Sequence, residues 1–236
     1  MYMAGGNFSF RQFDIHQERC AMKVGTDGVL LGAWANGGKR ILDIGTGTGL
    51  IAIMMAQRYD EATVEAVELD EDAAQQAKEN ASASPFGNRI DIHSYAIQQY
   101  SVPIKFDSIV SNPPYFVDSL HNPDPQRSAA RHACTLTYKD LFVAVKRLLA
   151  SDGEFSAVIP TECLSQFTSE AYLAGLSQSR RCYIRTTPRK QPKRALVAFR
   201  HADESHSMES AEECLQNADG TRSLWYDTLT KDFYIR

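Results

Sequence analysis

The sequence predicts an α/β fold: a mostly parallel sheet of seven strands, helices on both faces, and an antiparallel strand pair at its C-terminal end. Two observations carry this expectation. From residue 40 onward, short apolar runs alternate with segments whose apolar residues recur at helical spacing, the pattern of strand–helix–strand crossovers. The last two apolar runs leave no room for a helix between them, so they must pair antiparallel.

Element by element, residues 1–39 come first. They are rich in aromatic and apolar side chains, so an ordered segment packed on the sheet is expected. Gly25, Gly28 and Gly32 fit a turn followed by close helix packing. "RILDIG" (40–45) reads as a buried strand, and "GLIAIMMAQRY" (49–59) has helical spacing. "ATVEAVELD" (62–70) reads as a strand and "EDAAQQAKENASAS" (71–84) as a helix. "RIDIHSY" (89–95) and "FDSIVS" (106–111) supply strands three and four. "YKDLFVAVKRLLA" (138–150) is an amphipathic helix stopped by Ser151–Gly153, and "GEFSAVIP" (153–160) is strand five. "CYIRTT" (182–187) and "RALVAFR" (194–200) complete the sheet around a basic loop. The aromatic tail after residue 219 fits a docked helix. The whole reads as a single domain: an N-terminal segment 1–39, a core 40–200 and an extension 201–236.

Composition bounds the function. The chain has 236 residues, enough for one full-sized domain. It has no apolar run of about 18 residues, so no membrane span is expected. The opening "MYMAGGNFSFRQFD" lacks the basic-then-apolar pattern of a secretion signal. Five scattered cysteines show neither zinc nor redox spacing, so reduced thiols, a cytoplasmic location and no metal are expected. A monomer is the simplest expectation. The net charge of −4 excludes a polycation, yet "RRCYIRTTPRKQPKR" (180–194) holds seven Lys or Arg and no acid. The acidic "HADESHSMESAEE" follows it. Two solvated loops of opposite sign would look the same.

"LDIGTGTGL" (42–50) connects the first strand to the first helix, where open α/β sheets bind ligands. It lacks the Gly-Lys-Ser/Thr of a P-loop. Its glycines 45, 47 and 49 run G-x-G-x-G, with Leu50 in the third position of a dinucleotide fingerprint, which weakens pyrophosphate binding. A nucleoside with a small cationic attachment fits better, with Asp43 favouring the cation. Glu68 lies 19 residues beyond Gly49, where an acid meets ribose hydroxyls. Asp70 and Glu71 could instead cap the next helix.

These motifs resemble those of the class I, Rossmann-like S-adenosylmethionine methyltransferases: "DIGTGTG" is similar to their first motif and "VELD" to their second. The resemblance implies S-adenosyl-L-methionine as cofactor, held by Asp43, Gly45, Thr46, Gly47, Gly49, Glu68, Leu69 and Asn112. "SNPPY" (111–115) is similar to the (N/D)PP(Y/F) motif of members that methylate planar nitrogen. A conjugated amine is a poor nucleophile and must be aimed. Asn112 can accept one N–H through its side chain and Pro113 the other through its backbone carbonyl, which Pro114 restricts. Both acceptors stabilise positive charge growing on nitrogen. Tyr115 offers a flat face for an extruded base. A bare tight turn is the plain alternative.

The motif alone leaves adenine in DNA or RNA, guanine N2 in ribosomal RNA, and glutamine in release factors open. "FSFRQF", "RCAMKVGTDGVLLGAW", "PQRSAARH" and "PKRALVAF" resemble a bacterial family of tRNA adenine-N6 methyltransferases that act on adenine 37, beside the anticodon of tRNA(Val). This implies an anticodon loop as partner, with Arg11, Arg19, Lys23, Arg127, Arg131, Arg189, Lys190, Lys193 and Arg194 as candidate RNA contacts. Glutamine methylation of a release factor, or RNA binding without catalysis, are the alternatives. Against the first, only about 40 residues precede "LDIG", too few for that family's N-terminal helical domain. In "YAIQQY", Ala96 stands where the family usually has an Asp that contacts the cofactor adenine. His16 and His132 read as structural residues, and Trp34, Phe8, Phe10 and Phe13 as core.

Overall fold

The computed structural model describes residues 6–114, 136–203 and 206–235. A short hairpin, β1 (Phe8–Ser9) and β2 (Asp14–Ile15), precedes helix α1 (Thr26–Trp34). Then follow β3 (Arg40–Ile44), α2 (Leu50–Arg58), β4 (Thr63–Glu68), α3 (Glu71–Ala83), β5 (Ile90–Ser94) and β6 (Phe106–Ser111). The second half runs α4 (Tyr138–Leu148), β7 (Leu149–Pro160), α5 (Leu164–Leu173), β8 (Leu176–Arg185), β9 (Arg194–His201), β10 (Glu209–Cys214) and α6 (Leu224–Thr230).

The main sheet has the order β10-β8-β9-β7-β6-β3-β4-β5. Strands β3 to β7 are parallel, β9 is antiparallel to both β7 and β8, and β10 runs parallel to β8. The sheet is buried on both faces, which is why its central strands are nearly unbroken apolar runs. Ile41, Val64, Ile92, Val110 and Leu196 pack under α1, α2 and α3. Leu42, Ile109, Phe155, Val197 and Phe199 pack under α4 and α5 on the opposite face.

The small residues of α1 permit its close approach to α2. A Cβ on Gly32 would sit 2.8 Å from the sulfur of Met54, and one on Gly28 would sit 3.2 Å from Leu50. The tail returns onto this layer as α6, and Tyr234 stacks on Phe10, which stacks on Phe13.

Four features depart from the sequence-based expectation. The sheet has eight strands instead of seven, because the acidic stretch after residue 208 adds β10 to the edge. An exposed edge strand needs no apolar side chains, and Glu212 is held by Arg185 of β8 at 2.6 Å. β7 begins at Leu149, continuing straight from α4, with a register shift between Phe106 and Ser108 on its neighbour. α5 occupies residues to which no element was assigned, and β8 begins at Leu176 instead of Cys182. The other expected elements form, including the antiparallel pair.

Candidate active site

Parallel strands place their carboxyl ends at one edge. Ile44 is the register partner of both Val67 and Ser111, so the ends of β3, β4 and β6 adjoin. Beyond them the chain enters the glycine loop, the acid of β4 and the Asn-Pro-Pro turn.

The glycine loop needs its glycines. Gly45, Gly47 and Gly49 have φ of 72°, 54° and 81°, the left-handed region that side chains disfavour. A Cβ on Gly45 or Gly47 would meet nothing within 4 Å, so both face open space that a ligand can enter. A Cβ on Gly49 would press on Ala77 at 3.3 Å, so there crowding adds to the backbone requirement. Val67 carbonyl oxygen accepts from the amides of Gly45 and Thr46 at 2.9 and 3.1 Å, which ties the loop to β4.

Two carboxylates organise the loop from below and beside it. Asp43 is fully buried; one oxygen accepts from Thr46 Oγ1 at 2.6 Å and from the Ala52 amide at 3.1 Å. Its other oxygen has no hydrogen-bond partner. Burial raises its pKa to about 7, against the two hydrogen bonds that lower it, with the nearby Glu68 charge raising it further. Glu68, half-buried, accepts from the Gly47 amide at 2.9 Å through one oxygen and from the Leu69 and Asp70 amides through the other. Asp70 does cap α3, accepting from the Ala73 amide at 2.9 Å, which leaves Glu68 as the acid facing the loop.

Ala96 lies half-buried in the turn after β5, where its carbonyl accepts from the amides of Gln99 and Tyr100. Exposed apolar side chains flank that region: Leu69 is 55% and Tyr95 49% exposed, and the Tyr95 amide donates to Glu68 carbonyl oxygen at 2.9 Å.

Asn112 follows β6 directly and is half-buried, Pro113 is buried and Pro114 is exposed. Tyr115, Arg127, Arg131 and His132 lie outside the described residues. Thr46 is buried beneath the loop, as is Thr48.

The basic loop between β8 and β9 emerges at the same edge, since Arg194 pairs with Pro160 at the carboxyl end of β7. Arg189, Lys190 and Lys193 are exposed there. Arg194 is bound to Asp27 of α1 at 2.7 Å, and Thr161 Oγ1 donates to Pro192 carbonyl oxygen at 2.9 Å. Lys23 is exposed, with its ammonium on the Gln17 carbonyl; Arg19 bonds Glu79 and Gln76 of α3. Arg11 sits apart, donating to the Lys231 carbonyl at 2.9 Å, in the tail segment that also meets Gln57 near the end of α2.

Two residues of the site carry no sequence signature. Asn80 of α3 is fully buried; it donates to the carbonyls of Thr48 and His16 at 2.8 Å and accepts from the His16 amide at 3.0 Å. It joins the N-terminal segment to the glycine loop. That segment then runs beside Glu68, whose charge, after burial, raises the pKa of the Cys20 thiol. Ser111, also fully buried, donates to Ile44 carbonyl oxygen at 2.8 Å. A polar residue inside a helix or strand is unreadable as a bridge until its partner is known.

No group of three or more His, Cys, Asp or Glu side chains converges as a metal site among the described residues. Among them, no helix is long and apolar enough to cross a membrane.

Residues 21–168 match the family model of the methyltransferase small domain. The chain is 48% identical to the tRNA1(Val) (adenine(37)-N6)-methyltransferase of Bacteroides thetaiotaomicron, over 99% of each chain. Among solved structures, it is similar to one from Agrobacterium tumefaciens described as a "predicted O-methyltransferase", with TM-score 0.66 and 19% identity over 88% of this chain and 96% of that one. It is also similar to the glycopeptide N-methyltransferase MtfA, solved with S-adenosyl-L-methionine, with TM-score 0.56 and 10% identity over 74% and 94%. At such identities the structures speak for the fold alone.

Proposed function

The chain belongs to the methyltransferase small-domain family and, within it, to the tRNA1(Val) (adenine(37)-N6)-methyltransferases, and we propose that it methylates the exocyclic N6 of adenine 37 in the anticodon loop of tRNA(Val). One observation carries the chemistry: the strand ending in Asn112-Pro113 and the strand ending in the glycine loop are adjacent, with Ile44 opposite Ser111.

The residues present fit S-adenosylmethionine. The open faces of Gly45 and Gly47 leave room for it, and the half-buried Glu68 carboxylate suits a ribose diol. Leu69, exposed beside it, would extend this wall, while Asp43 and Thr46 are buried and support the loop from below and Gly49 packs on Ala77. When bound, the cofactor supplies a methyl group on positively charged sulfur, an electrophile that a weakly nucleophilic amine can attack if aimed.

The aiming falls to the Asn-Pro-Pro turn. Asn112 side-chain oxygen and Pro113 carbonyl oxygen accept one N–H each from the adenine amine. This would turn the nitrogen lone pair towards the methyl carbon and stabilise the positive charge that grows on nitrogen as the N–C bond forms and the C–S bond breaks, its electron pair returning to sulfur to leave a neutral thioether. The methylated nitrogen then sheds one proton, which water can take. Positioning of this kind is worth about 7–11 kcal/mol in favourable cases, so no strong base is required. Tyr115 would stack on the base. Arg189, Lys190 and Lys193, exposed at the same edge, would meet backbone phosphates, with Lys23, Arg127 and Arg131 as further candidates.

The test is transfer of labelled methyl from S-adenosylmethionine to total tRNA and, separately, to a release factor. Label in tRNA, recovered as N6-methyladenosine after nuclease digestion, is the expected outcome. Label in the release factor, or binding of tRNA without transfer, overturns the proposal.

A further inference from the structure

Ser111 stands out once the site is assembled. It is a fully buried hydroxyl at the very end of β6; Ser108, the other buried hydroxyl of that strand, lies towards the end away from the site and donates to the Asn36 carbonyl at 2.6 Å. Burying a hydroxyl costs free energy unless it is hydrogen-bonded. Here it donates to Ile44 carbonyl oxygen at 2.8 Å.

The acceptor is what gives this bond its meaning. Ile44 carbonyl belongs to the peptide unit that enters Gly45, the first left-handed residue of the loop. The N–H of that same unit donates to Val67 carbonyl oxygen at 2.9 Å. The peptide plane at the mouth of the glycine loop is therefore held from both sides, by β4 through its N–H and by β6 through its C=O. Ile44–Ser111 is the last register pair of β3 and β6; beyond it the two chains part into the loop and into Asn112.

We propose that Ser111 is a positioning residue for methyl transfer: its hydroxyl locks the start of the glycine loop to the residue that precedes Asn112, and so fixes the distance between methyl donor and amine acceptors. The inference rests on the proposed function for its chemical consequence. Removing the hydroxyl leaves both strands paired and both half-sites intact. It removes the tie at the last register pair, where the loop and the Asn112 turn diverge, and small misplacements of reacting atoms can cost about 10²-fold in rate.

The decisive comparison is native protein against Ser111→Ala and Ser111→Thr. With Ser111→Ala, single-turnover methylation of tRNA should fall about 10- to 100-fold. Its affinity for S-adenosylhomocysteine, measured by calorimetry, should be nearly unchanged, because the loop keeps its glycines and its amide hydrogen bonds to Val67 carbonyl oxygen. Ser111→Thr keeps the hydroxyl and should recover most of the rate. An arm without RNA follows hydrogen exchange on adding S-adenosylhomocysteine. In native protein, protection should spread from residues 42–50 to residues 106–112; in Ser111→Ala it should stop at the loop. An Ala variant with native rate, one whose loss appears wholly as weaker cofactor binding, or one in which protection still reaches 106–112, overturns the proposal. If native protein methylates no tRNA, the substrate assignment is wrong, while the exchange arm still decides the coupling.

Discussion

At the residue scale, the division of labour between Asn112 and Glu68 makes the first test. Asn112→Ala removes one amine acceptor and touches none of the loop contacts of Glu68. Methyl transfer should fall by about 10²-fold or more, with cofactor affinity within a few-fold. Rapid quench and calorimetry on one preparation separate the two, and unchanged transfer would contradict the role. Ala96 gives a test in the opposite direction. The turn that holds it bears no carboxylate, and Leu69 and Tyr95 expose apolar surface beside it. Ala96→Asp restores an acceptor for the cofactor adenine and should tighten cofactor binding about tenfold, the worth of one hydrogen bond to a charged group. Equal or weaker binding would mean that the apolar flanks already satisfy the site. Glu68 and the glycines were legible because their roles depend on local spacing. Ser111 and Asn80 were not, because each acts on a strand or segment 32 or more residues away in sequence.

At the element scale, the basic loop between β8 and β9 was legible as composition and placed only by topology. An antiparallel strand order turns it to the edge that carries Asn112. There Arg194 is engaged by Asp27, while Arg189, Lys190 and Lys193 are exposed. Replacing those three with Gln should lower the slope of log affinity for tRNA against log salt by about 2, with little change in stability. Filter binding across a salt series measures it, and an unchanged slope would take the loop off the RNA path. The acidic stretch misled for a related reason. Glu209–Cys214 has no strand-like apolar pattern, yet it pairs with β8 because an edge strand needs only backbone partners and a charge to meet Arg185. α5 was missed as well, although it buries Leu164, Phe167 and Ala171.

At the scale of the whole molecule, the cost of building the site appears as pH-dependent stability. Asp43 titrates near 3.8 when solvated and at about 7 when folded, because burial disfavours its charge. The folded state therefore binds the proton more tightly, and stability falls as pH rises through 4 to 7, with the whole loss in place above 7. The magnitude is of the order of 4 kcal/mol. Asp43→Asn carries no charge, so urea titrations should show the variant gaining on the native protein between pH 4.5 and pH 8. A constant difference would mean that Asp43 stays ionised throughout. Local pattern determined the alternation of strands and helices, the glycine loop and the Asn-Pro-Pro turn, since each needs only the steric and hydrogen-bonding preferences of a few consecutive residues. The tertiary structure alone decided which strand tips adjoin, which basic side chains are engaged, and how Ser111 and Asn80 fasten the loop. Those outcomes depend on which distant backbone group meets each side chain, and only packing fixes that.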